Sequence, residues 1–94
     1  MKDFPLVSAE PNGQLHNVVT ISRRELVTAR WMNSFIAGKL IDAGAPLRWK
    51  RNTQNMAAVI EQRDVNLTDV EFTGTIFSQE LPNGDSRYWW NPQS

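Results

Sequence analysis

"FSQELPNGDSRYWW", residues 77–90, decides how this chain folds, because a hairpin closed at Asn83–Gly84 assigns every side chain of two strands to one face or the other. With Asn83 and Gly84 at the centre of a type I′ turn, Glu80 stands opposite Arg87, Gln79 opposite Tyr88, Ser78 opposite Trp89 and Phe77 opposite Trp90. An opposite-charge pair and an aromatic pair then lie directly across the ladder, the arrangement that stabilises antiparallel strands. In this register Val70, Phe72, Ile76 and Trp89 form a core layer. Thr73, Thr75, Phe77, Leu81, Tyr88 and Trp90 share the opposite face. That second face is either covered by another element of the domain or exposed. If exposed, its aromatics form a patch of roughly a few hundred Å², the size at which an apolar patch usually marks a partner.

Upstream, the same dipeptide recurs in "EPNGQ", 10–14, and predicts a second hairpin over about 4–21, with Val7 opposite Val18, Leu6 opposite Val19 and Phe4 opposite Ile21. Ser22 then opens "SRRE", a capping box in which Ser22 and Glu25 satisfy free amides at a helix start. Gly44 followed by Pro46 supplies the stop. The expectation is one helix over 23–43. Leu26, Ala29, Met32, Ile36, Ala37, Leu40 and Ala43 lie on one arc of it, and Val27, Trp31, Phe35 and Ile41 fall outside.

"PLRWKR", 46–51, reads as a strand with Leu47 and Trp49 on one side and Arg48 and Lys50 on the other. "MAAVIEQ", 56–62, is too short an apolar run for periodicity to decide; its alanines would suit a short helix, and it is assigned as a strand. "DVEFTGTIFSQE", 69–80, alternates along its length and reads as one strand leading into the last hairpin. The predicted fold is α+β: an antiparallel sheet of five or six strands, flanked by N- and C-terminal hairpins, with one long helix packed on one face. Residues 1–94 suffice for a single domain with one modest core.

Apolar residues at 40%, charged at 21% and four Trp describe a globular chain. With no Cys, disulfide scaffolds and thiolate metal sites are excluded. The opening residues carry an acid at position 3 and lack a signal-peptide core, and no run approaches the ~20 apolar residues of a membrane span, so a cytoplasmic protein is expected. Net charge is zero but unevenly laid down: residues 1–51 sum to +4 and 52–94 to −4.

Catalytic signatures are sparse. There is one His, and no phosphate-binding glycine loop or nucleophile elbow is present. His16 has no visible nucleophile or orienting acid beside it in sequence and reads as structural. Asp64, Asn66 and Asp69 begin like a calcium loop, but Asp69 and Thr75 stand where that loop needs Gly and Glu, so the segment reads as an exposed turn. No catalytic residue, metal or cofactor is assigned. The expected function is a small non-enzymatic interaction module, binding a protein partner or a second copy of itself through Phe77, Leu81, Tyr88 and Trp90. The alternative is weak nucleic-acid binding, with Arg48, Lys50 and Arg51 contacting phosphates together with Arg23, Arg24 and Arg30 at the start of the helix.

Overall fold

The computed structural model describes residues 6–50 and 53–92. Among them are six strands and three α-helices, in the order β1 (Val7–Ser8), β2 (Asn17–Ile21), α1 (Arg23–Thr28), α2 (Met32–Asp42), β3 (Leu47–Trp49), α3 (Thr53–Gln62), a 3₁₀ turn (Leu67–Asp69), β4 (Val70–Phe72), β5 (Phe77–Glu80) and β6 (Ser86–Trp90). The class is α+β as expected, but the strands divide into a four-stranded sheet, β1-β5-β6-β2, and a separate β3-β4 ladder.

No N-terminal hairpin forms. β1 and β2 lie on opposite edges of the sheet, β1 parallel to β5 and β2 antiparallel to β6. A type I′ turn needs two successive residues at positive φ, and here only Gly13 has one, at 83°, so the chain makes a wide connection instead. Phe4, assigned opposite Ile21, lies outside the described residues.

The C-terminal hairpin does form, one residue out of the expected register. Phe77 pairs with Trp89, Ser78 with Tyr88, Gln79 with Arg87 and Glu80 with Ser86. Asn83 keeps a negative φ and only Gly84 is left-handed, at 93°. The Gly84 amide donates to the Leu81 carbonyl at 2.9 Å and the Leu81 amide to that of Asp85 at 2.8 Å. This is a type I turn on Pro82–Asn83 followed by a left-handed glycine, a loop of three residues rather than two. The extra residue shifts the partner strand by one and exchanges its faces.

The single helix expected over 23–43 is two. Ser22 and Glu25 make the capping box: the Glu25 amide donates to Ser22 Oγ and the Ser22 amide to Glu25 Oε1, each at 3.1 Å. After one and a half turns the Thr28 hydroxyl bonds back to the Arg24 carbonyl at 2.7 Å, and Ala29 leaves the helix with ψ 131°. α2 begins without a side-chain cap of its own. Instead Asp64, thirty residues away, accepts from the Asn33 and Ser34 amides at 3.2 and 2.8 Å. The end of α2 follows the sequence: Gly44 is left-handed at 89°, and the Ala45 amide bonds the Leu40 carbonyl at 2.9 Å.

Residues 56–62, assigned as strand, belong to α3. Met56 is buried and Val59 and Ile60 half-buried, while Ala57, Ala58, Glu61 and Gln62 are exposed, the spacing of one helix face. The long strand expected over 69–80 is interrupted by a bend at Thr73–Gly74 and becomes β4 and β5. β3 holds as read, with Leu47 buried, Trp49 half-buried and Arg48 exposed.

One apolar cluster joins both sheets and the helices. Ile21, Ile36, Leu40, Leu47, Met56, Val70, Ile76, Tyr88 and Trp90 belong to it, with Val19, Trp49 and Phe72 packed against it. Among the described residues no helix is long and apolar enough to cross a membrane.

Candidate interaction surface

Residues paired across neighbouring strands point to the same side of a sheet. The observed registers therefore set Val7, Phe77, Trp89 and Val18 in one line across all four strands, and Ser8, Ser78, Tyr88 and Val19 in the next line on the opposite face. Tyr88 and Trp90 belong to the core cluster, each 5% exposed, so the second face is the inner one. The line Val7–Phe77–Trp89–Val18 lies on the outer face. Its ends are open to solvent, Val7 at 45% and Val18 at 49%.

At the centre of the line Phe77 and Trp89 stack, with ring centroids 5.8 Å apart and planes 22° from parallel. Trp89 is only 6% exposed although it lies outside the core cluster. Residues of the β1–β2 connection approach it there: Glu10, Asn12, Leu15 and His16, with Asn91 and the Phe77 and Trp89 rings, surround a cleft of about 290 Å³. Beside the apolar line runs a polar one. Arg87 donates to Gln79 Oε1 at 3.2 Å, and Gln79 donates to Glu10 at 3.3 Å.

Of the four residues expected on one aromatic face, Phe77 lies on this surface and Tyr88 and Trp90 do not. Leu81 closes the β5–β6 turn through its backbone, and Tyr88 and Trp90 are core residues. The one-residue shift is the cause. Trp89, which the expected register buried with Phe72 and Ile76, takes the outer face in their place. Val7 and Val18 were not legible as members of the surface, since their position depends on pairings with strands some seventy residues away.

The basic residues of the alternative reading sit among different neighbours. Arg48 makes an ion pair with Glu71, Nε to Oε1 2.9 Å. Arg23 begins α1 against the β5–β6 turn, its amide donating to Asp85 Oδ1 at 2.8 Å. Arg30 lies over the Trp31 ring at 5.0 Å, and Lys50 bonds through its amide to the Asp69 carbonyl at 3.1 Å. Arg24 is exposed in the first turn of α1, and Arg51 lies outside the described residues.

The segment read as an exposed acidic turn is instead a structural junction. Asp69 is 2% exposed. It accepts from Arg63 at 3.0 and 3.4 Å and from the Asn66 amide at 3.2 Å, while Asp64 caps α2 and the Val65 amide donates to Ser34 Oγ at 3.0 Å. Among the described residues no group of three or more His, Asp or Glu is placed to hold a metal ion. No protein-family model, curated protein or solved structure matches this chain.

Proposed function

We propose that this chain is a small non-enzymatic interaction module that binds a protein partner through the outer face of its four-stranded sheet. The observation that carries the reading is the apolar line Val7–Phe77–Trp89–Val18, which crosses every strand on the side away from the core and ends in two half-exposed valines. A line of this kind contributes nothing to the interior cluster, and an apolar row open at both ends and bordered by polar groups is the composition of a partner-binding surface. The adjoining cleft, about 290 Å³, is at the lower limit of the ~300–1,000 Å³ typical of small-molecule sites. It suits an apolar side chain of a partner, with Glu10, Asn12, His16 and Asn91 at its margin to bond the partner's backbone.

Site-directed photo-crosslinking in the native host tests this. A crosslinker at position 7 should capture one defined protein, and the same group at position 27, where Val27 on α1 is 70% exposed, should not. Phe77→Gln should abolish the product from position 7. Equal capture from both positions, or capture insensitive to Phe77→Gln, would remove the outer face as the binding surface.

A further inference from the structure

β2 is one of the two edge strands of the four-stranded sheet, and the direction of its hydrogen bonds follows from its neighbours. The Val7 and Ala9 amides donate to the Ile76 and Ser78 carbonyls at 3.0 and 3.1 Å, so those β5 residues direct their backbone groups to β1. Alternation along an antiparallel pair then turns Phe77 and Gln79 toward β6, Tyr88 and Trp90 toward β2, and Val19 and Asn17 back toward β6. Val18 and Thr20 are left with N–H and C=O pointing out of the sheet, and among the described residues these groups have no partner.

Edges of this kind are ordinarily blunted by charge, proline, a bulge or brevity. The β1 edge is two residues long and is followed by Glu10 and Pro11. β2, Asn-Val-Val-Thr-Ile, has five residues, no charge and no proline, and all five pair regularly with β6. Its two connections leave the edge clear. The chain after Ile21 turns to the β5–β6 loop, where the Arg23 amide meets Asp85, and the chain before Asn17 borders Phe77 and Trp89.

We infer that β2 pairs with β2 of a second copy of this chain, antiparallel about a twofold axis at Val19, joining two four-stranded sheets into one of eight strands. The register is self-complementary. With Val19 on the axis, Val18 faces the partner's Thr20 and Thr20 faces the partner's Val18, so each pair exchanges two hydrogen bonds and every outward backbone group of the edge is satisfied. The side chains agree with it. Exposed Val18 packs across from the Thr20 methyl, Asn17 falls opposite Ile21 and His16 opposite Ser22, so no like charges meet. Each outer apolar line then ends at Val18 against the partner's Thr20, on one continuous sheet.

This inference rests on the backbone of β2, independently of the partner reading. Light scattering over a concentration series should show the mass rising from 10.7 kDa toward twice that value. Amide hydrogen exchange at the high end should show Val18 and Thr20 newly protected, while Val19 and Ile21, bonded to β6, are protected throughout. Thr20→Pro removes an outward N–H without touching the bonds to β6, and should weaken the dimer by roughly tenfold to a hundredfold, as loss of two of its hydrogen bonds implies. Phe77→Gln should leave the dimer intact while abolishing capture of the heterologous partner from position 7, so the two proposals fail separately. A mass of 10.7 kDa at every concentration, or a dimer in which the Val18 and Thr20 amides exchange freely, overturns the inference. The exchange measurement uses the unaltered chain and decides the matter even if Thr20→Pro does not fold.

Discussion

Gly84 takes the left-handed conformation alone, and with Asn83 at negative φ the turn holds three residues instead of two. That one residue determines which of two adjacent tryptophans enters the core. Trp90 is there, beside Tyr88, and Trp89 stacks on Phe77 on the far side of the sheet. Trp90→Ala should therefore destabilise the fold by about 3–5 kcal/mol in chemical denaturation, as large-to-small core changes do. Val7→Asp, at the open end of the outer line, should change stability by less than about 0.5 kcal/mol. A tolerated Trp90→Ala would mean that the faces are the reverse of those described.

At the scale of the element, the two helices are begun by different devices. α1 carries its own capping box, and hydrogen bonds from the Ser22 amide and hydroxyl, with Lys39 nearby at 3.4 Å, hold the Glu25 carboxyl below its ordinary value of 4.5. The unfolded chain therefore binds this proton more tightly than the folded one. The stabilisation is present above pH 4.5 and is lost as pH falls through the lower folded value. Glu25→Gln preserves an acceptor for the capping box but cannot titrate. Denaturation midpoints of parent and variant should differ at pH 7 and converge once the pH falls below the lowered folded value, and an equal gap throughout would show that the carboxylate charge plays no part. α2 depends instead on Asp64, beyond α3, so its start is held by a contact that closes only when the chain has folded.

For the whole molecule, one apolar cluster contains residues of both sheets, of α2 and of α3. Trp49 lies in the small ladder, Trp31 ahead of α2, and Trp89 and Trp90 in the large sheet, so tryptophan fluorescence samples every layer. Thermal or urea unfolding followed by fluorescence and by far-ultraviolet circular dichroism should give coincident midpoints, as a single cooperative unit requires. An early fluorescence transition would instead mean that the β3–β4 ladder opens on its own. The melts should be compared at several concentrations, since pairing through β2 makes the midpoint rise with protein concentration.

Features governed by neighbouring residues were legible in the sequence. The Ser22–Glu25 cap, the Gly44 stop, the pleat of Leu47, Arg48 and Trp49, and the existence of the last hairpin all rest on interactions within a few residues. Whether 56–62 forms helix or strand was not legible, because a five-residue apolar run satisfies both periods and only its buried side distinguishes them. The break between α1 and α2 needed Asp64, and the division of 69–80 into strands of different sheets needed their partners. The outer line needed most of all. Val7 meets Phe77 and Val18 meets Trp89 only through pairings seventy residues apart, and a period of two lets a single residue in a turn reverse every face it joins. Local chemistry thus set the ends of elements and the class of the fold, while the choice of which aromatic enters the core cluster was made by long-range pairing in the tertiary structure.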